Sequence, residues 1–198
     1  MTNIITELRN TVNNHHAAIE AAQADADKFQ RDYSNFYSLD VFTEKLKEYT
    51  DKRDAAIRAG NAAIKNTVDT FLGEIKSIDA LDGSQLNEGD VRLLESGVTL
   101  DKNDLELMYD KAKANGSRTM QQLVMRRSLH DGTVIDRVFY SAQDIEAAVH
   151  LLENYAYSAL PGGVYYDMIW ANDEKFSAII PDALRDLYGM EKPYRYNG

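Results

Sequence analysis

Apolar side chains recur at alternating steps of three and four residues from Ile5 onward: Leu8, Val12, His15, Ile19, Ala22, Ala26, Phe29, Tyr33 and Phe36. A mean spacing of about 3.5 residues is the period of a coiled-coil seam, here sustained for roughly five heptads. Ile5, Leu8, Val12, Ile19, Phe29, Tyr33 and Phe36 are its principal apolar members, and His15 occupies one of its positions. No Pro or Gly interrupts residues 2–59. The spacing therefore predicts one helix over 4–37, roughly 50 Å long at about 1.5 Å per residue. A single apolar stripe on so long a helix needs a partner.

The chain supplies one. The pattern breaks at YSLDVFTEKL (37–46), where Ser38 or Asp40 is placed to cap a second helix and Glu44 lies in its first turn. Apolar or small residues then recur at Phe42, Leu46, Tyr49, Ala56, Gly60 and Ala63, with Arg53 in the same series. They continue at Val68, Phe71, Ile75 and Ile78 after a register shift near Thr67. Two long helices joined by a short connection predict an antiparallel hairpin over 1–82. Its Ala-rich stretches, HHAAIEAAQADA and RDAAIRAGNAAIKN, make a thin seam, since small residues bury little area. Added burial from the rest of the chain or from other subunits is expected.

ALDGSQLNEGD (80–90) marks the boundary, with an Asp82-Gly83 turn pair. A compact helical domain is expected over 83–190. Its signals are a helix over 87–96 stopped at Gly97, and a second capped by Asp101 with Leu100 stapled to Leu105. That helix stops at Asn115-Gly116, and Ser117 caps the next. Val134, Ile135, Val138, Phe139 and Tyr140 carry strand propensity after Asp131-Gly132, enough for one short strand pair. A further helix runs from Ser141 until LPGG (160–163). Another is expected over 164–179 and a short one after Pro181, with 191–198 as a flexible tail. The fold class is thus all-α.

Composition narrows the function classes. The chain of 198 residues has no cysteine, which removes disulfides, thiolate nucleophiles and Cys-ligated metals. No apolar run approaches the ~20 residues of a bilayer span, and the N-terminal stretch lacks a secretory pattern, so a cytoplasmic location is expected. The net charge of −10 disfavours a nucleic-acid backbone or an anionic membrane as partner.

Catalytic motifs are scarce. Glu146 and His150 share one helix face at i,i+4, and His130-Asp131 forms an adjacent pair, but neither has the further ligands of a metal centre. No nucleophile elbow, Walker loop or dinucleotide fingerprint occurs. No cofactor and no metal site is expected. Arg118, Arg126, Arg127 and Arg137 form the densest basic cluster, suited to an acidic partner or to Asp and Glu of a neighbouring helix. The most unusual local feature is aromatic: ENYAYSALPGGVYYDMIW carries Tyr155, Tyr157, Tyr165, Tyr166 and Trp170. Such side chains serve either a small core or a partner-binding surface.

These features favour a non-enzymatic interaction or assembly protein that works through self-association or a heterologous protein partner. Acidic, cysteine-free chains with coiled-coil patterning occur among scaffolds and accessory structural proteins, including those of bacterial viruses; this is an analogy of type. Two alternatives stay open: an acidic inhibitor occluding a basic nucleic-acid-binding protein, and a metal-dependent helical hydrolase.

Overall fold

Asn3 opens the first helix. Its side-chain oxygen accepts from the N–H groups of Ile5 and Thr6 at 3.1 and 3.2 Å, satisfying two donors that a helix start leaves unpaired. Helix α1 runs Ile4–Tyr33 and α2 runs Leu39–Ile75, in a computed structural model that describes residues 2–160 and 165–191. The fold is all-α, and no strand occurs among the described residues.

The two long helices pack as an antiparallel hairpin. Thr11 meets Thr67 (Oγ1 to Oγ1, 3.5 Å), Arg53 donates to Gln23 at 3.0 Å, and the rings of Phe29 and Tyr49 stack at 4.9 Å. As the position along α1 rises, its partner on α2 falls by a similar amount, which only opposite chain directions allow. Gly60 sits at a close approach. A Cβ there would lie 3.1 Å from the Cβ of His15 and 2.9 Å from a methyl of Leu160.

Two details of the hairpin differ from the sequence pattern. Helix α1 stops at Tyr33, and SNFYS turns the chain, so Tyr33 and Phe36 are exposed (43 and 78 %) instead of closing the seam. The histidine inside is His16, with His15 only half-buried. An α-helix turns every ~3.6 residues, so a strict heptad drifts across its face. Leu8, Val12, His16 and Ile19 follow the helix rather than the heptad. On α2 the buried line is Gly60, Ile64, Val68, Phe71 and Ile75, which puts the register shift before Ile64 instead of near Thr67.

The chain divides into two compact units, one formed by residues up to Gly73 and from Ile145 on, the other by Glu74–Asp144. The expected boundary at 82/83 falls inside the second of these, and the first is discontinuous. Its later elements are α6 (Ala142–Ala159, from Ile145 onward), a π-helical turn at Tyr166–Trp170, α7 (Asp173–Ile179) and α8 (Asp182–Leu187). They give the thin seam its missing cover. The Tyr188 hydroxyl donates to Thr2 O at 2.8 Å and accepts from Ile4 N at 3.1 Å. Arg9 donates to Asp173 at 2.6 Å and to Trp170 O at 3.3 Å, and Tyr166 donates to Asn13 at 3.1 Å. All these ties reach the first half of α1. None of residues 30–59, all of them described, is buried. The expected helix over 164–179 is instead the π turn and α7, divided at Ala171-Asn172, where Asn172 caps α7. Residues 161–163 of LPGG and most of the expected tail, 192–198, lie outside the described residues.

The second unit follows its sequence signals closely. It holds α3 (Glu88–Glu95), α4 (Lys102–Ala114) and α5 (Arg118–Asp131). Asp101 and Asp104 form a reciprocal capping box, Gly116 takes φ 68°, and the Ser117 hydroxyl accepts from Met120 N at 3.2 Å. Leu94, Leu100, Leu105, Tyr109, Met120, Val124 and Ile135 share one core, each large aliphatic contributing about 2 kcal/mol by burial. The expected strand pair is absent. Gly132 (φ 68°) ends α5, and the chain beyond it bonds to helices instead of to a second strand. Asp136 N donates to Glu106 at 2.7 Å, Tyr109 donates to Val138 O at 2.6 Å, and Arg118 donates to Tyr140 O at 2.7 Å.

Candidate functional site

The turn end of the hairpin collects exposed aromatic and aliphatic side chains. Phe29, 7 % exposed, is the hub. Its ring lies 5.3 Å from Tyr33, 6.3 Å from Tyr37, 5.5 Å from Phe42 and 4.9 Å from Tyr49, stacked in each case. Along the turn Tyr33, Phe36, Tyr37, Leu39 and Val41 are exposed by 43, 78, 39, 79 and 41 %. The other exposed large hydrophobics among the described residues are spread more thinly along the chain, and exposed apolar residues are ordinary when they stand singly. Here five fall in residues 33–41, a concentration above the usual single exposed residues. Lys45 lies over Tyr37 at 5.8 Å and Lys52 over Tyr49 at 5.2 Å, so cations rim the patch.

Of the five aromatics expected to bind a partner, one is fully buried and four keep part of their surface. Trp170 is fully buried, packed edge-on against Phe176 at 4.9 Å, and offers no surface. Tyr166 stacks on His16 at 3.4 Å, and Tyr155 stacks on Tyr165 at 6.3 Å. Tyr157 donates to Glu153 at 2.8 Å. The four tyrosines are half-buried. Burial raises the hydroxyl pKa of Tyr165 and Tyr166, and burial together with Glu153 pushes that of Tyr157 up to about 12. Of the seam residues, Ile5, Leu8, Val12, Ile19 and Phe29 are buried.

Residues considered for chemistry are ordinary helix-surface groups. His150 contacts Glu153 at 2.8 Å through Nδ1 and lies 3.9 Å from Glu146 through Nε2. Both carboxylates are on its own helix. Asp131 pairs with Arg127 at 2.5 Å instead of with His130. Among the described residues no group of three or more His, Asp or Glu is arranged to hold a metal ion. Of the four arginines singled out, three are tied down: Arg118 to Asp79 (2.8 Å), Arg127 to Asp131, and Arg137 to Asp110 (2.7 Å). Arg126 is exposed beside a shallow cleft of about 280 Å³ floored by Leu94 and Leu123.

Sequence reasoning missed Tyr37, Leu39 and Val41 as surface groups. The available signal was an aromatic turn: SNFYSL carries Phe, Tyr and Leu where a helix connection is normally polar. Asp79 was missed too. It accepts from Arg118 and from Ala142 N at the start of α6, a role that no local pattern announces. Among the described residues no helix is long and apolar enough to cross a membrane. Compared with protein-family models, curated proteins and solved structures, the chain matches none.

Proposed function

We propose that this chain is a non-catalytic interaction and assembly protein whose contact surface is the aromatic end of the helical hairpin. One observation carries the reading: Tyr33, Phe36, Tyr37, Leu39 and Val41 are all exposed within residues 33–41, and Tyr33 and Tyr37 stack on Phe29. Large aromatic and aliphatic groups left in water are unfavourable by roughly 1.5–3 kcal/mol each relative to burial, and covering them is a source of binding free energy. Rigid aromatics suit that role because ordering them loses little conformational entropy. The cytoplasm is the compartment in which this reading places the protein.

The test is affinity capture with chemical cross-linking from the cell that makes the chain. Wild type and a Phe36→Ser/Leu39→Ser variant are the two baits. A protein, whether a further copy or another chain, enriched with wild type and lost with the variant supports the reading. Equal recovery with both baits overturns it.

A further inference from the structure

We infer that the partner at the hairpin end is a second copy of this chain, related by a two-fold axis through the residue 33–41 turn. This rests on the reading above and names its partner. The first argument is charge. The chain carries −10 overall, yet residues 28–54 hold six basic and six acidic side chains and are neutral as a set. Two copies repel wherever their acidic surfaces meet, and least where this neutral segment meets itself. A strongly basic partner would be drawn to the rest of the molecule, away from this segment.

The second argument is sign pattern. Along α2 the charges read Glu44, Lys45, Lys47, Glu48, Asp51, Lys52. Alternating signs of this kind leave no single-sign field at this end of the hairpin to repel a second copy. The third is continuity. Tyr33, the last residue of α1, stands four positions beyond Phe29, the last buried member of the stripe, and Phe36 follows in the turn. A second hairpin laid against the turn covers them as α6 to α8 cover the stripe nearer Asn3. A bilayer suits the patch less well, since Asp40 stands between Leu39 and Val41 with Asp32 and Glu44 close by. Interfacial segments favour Lys and Arg at those places.

The experiment is solution mass by light scattering and sedimentation across a wide range of concentration. Wild type should shift from the mass of one chain to that of two. The Phe36→Ser/Leu39→Ser variant should raise the dissociation constant about a hundredfold or more, as for two hot-spot side chains. Its far-UV helicity should not change, because both residues are exposed. A second readout leaves these side chains in place: the chain has no cysteine, so a nitroxide on Asn35→Cys should couple to its counterpart and lose the coupling on dilution. Wild type staying at one chain at every concentration overturns the second-copy proposal, while apex-dependent capture of another protein would leave the interaction reading standing. Dimerisation unaltered in the double variant overturns the location. Flotation of wild type, but not the variant, with neutral phosphatidylcholine vesicles overturns the choice of partner in favour of a lipid surface.

Discussion

The imidazole of His16 lies flat on the phenol of Tyr166, with centroids 3.4 Å apart and planes within 5°. His16 is buried and its Nε2 has no hydrogen-bond partner among the described residues. The contact therefore rests on ring packing, with the Tyr166 hydroxyl anchored to Asn13. Tyr166→Phe keeps the stack and should lose about 1 kcal/mol; Tyr166→Ala removes it and should lose about 3 kcal/mol. Urea denaturation of the two variants separates the contributions. Equal losses would assign the stability to the hydrogen bond.

Gly60 and Gly73 both lie within α2, yet opposite outcomes are expected for Ala substitution. At Gly73 nothing lies within 4 Å of the added methyl, so helix propensity acts alone and stability should rise by about 0.5–1 kcal/mol. At Gly60 the methyl meets Leu160, which is itself fully buried, and the backbone side of His15. Overpacking of this kind costs about 1–3 kcal/mol, which outweighs the propensity gain. Thermal melts of Gly60→Ala, Leu160→Ala and the double variant should show the double less destabilised than the sum of the singles.

Trp170 is the single tryptophan and is fully buried. Its fluorescence should be blue-shifted and poorly quenched by acrylamide. Association through the hairpin end should leave that emission unchanged. Trp170→Ala should cost about 3–5 kcal/mol, the signature of a core residue; normal stability with lost partner binding would return it to the surface.

Acid should loosen the segment after Gly132. The Arg137 guanidinium holds the Asp110 carboxyl below the usual carboxylate range, and Lys102 does the same for Asp136. Depressed carboxyl pKa values stabilise the fold above about pH 4, and that contribution is lost as pH falls through the depressed values. The urea midpoints of wild type and Arg137→Gln should therefore differ near neutrality and converge in acid. A gap that persists below pH 3 would show that the guanidinium acts by packing.

At the other extreme Tyr157 governs. Its hydroxyl pKa stands at about 12 in the fold, against about 10 when unfolded. The stabilisation is complete below pH 10 and disappears as pH rises toward 12. Ultraviolet titration should show a late phenolate, absent in Tyr157→Phe, and that variant should lose less stability between pH 10 and 12 than wild type.

Local signals were legible in the sequence, and distant ones were not. Asp101, Asn115-Gly116 and Ser117 act within a few residues of themselves, so their caps could be read directly. Alternating three- and four-residue steps identified the hairpin for the same reason. His16 was read as His15 because the heptad and the α-helix differ by only about a tenth of a residue per turn. Which aromatics are exposed had a different cause. Whether Trp170 or Phe36 is covered depends on where residues from Ile145 on return to α1, and Arg9–Asp173 and Tyr188–Thr2 span more than 160 positions. The Val134–Tyr140 segment resembled a strand by residue type, but its hydrogen bonds go to Glu106, Tyr109 and Arg118.

The discontinuous first unit sets an order of events in synthesis. His16 must wait for Tyr166, 150 positions later, roughly 8–30 s at about 5–20 residues per second. The Glu74–Asp144 unit is complete shortly before then, with contacts that are all nearer in sequence. During the interval α1 has only α2 to cover it, and its stripe is diluted by Ala22, Ala26 and His16 instead of being a row of Leu and Ile. A weak seam is what a nascent helix requires if it is to remain unaggregated until its cover emerges.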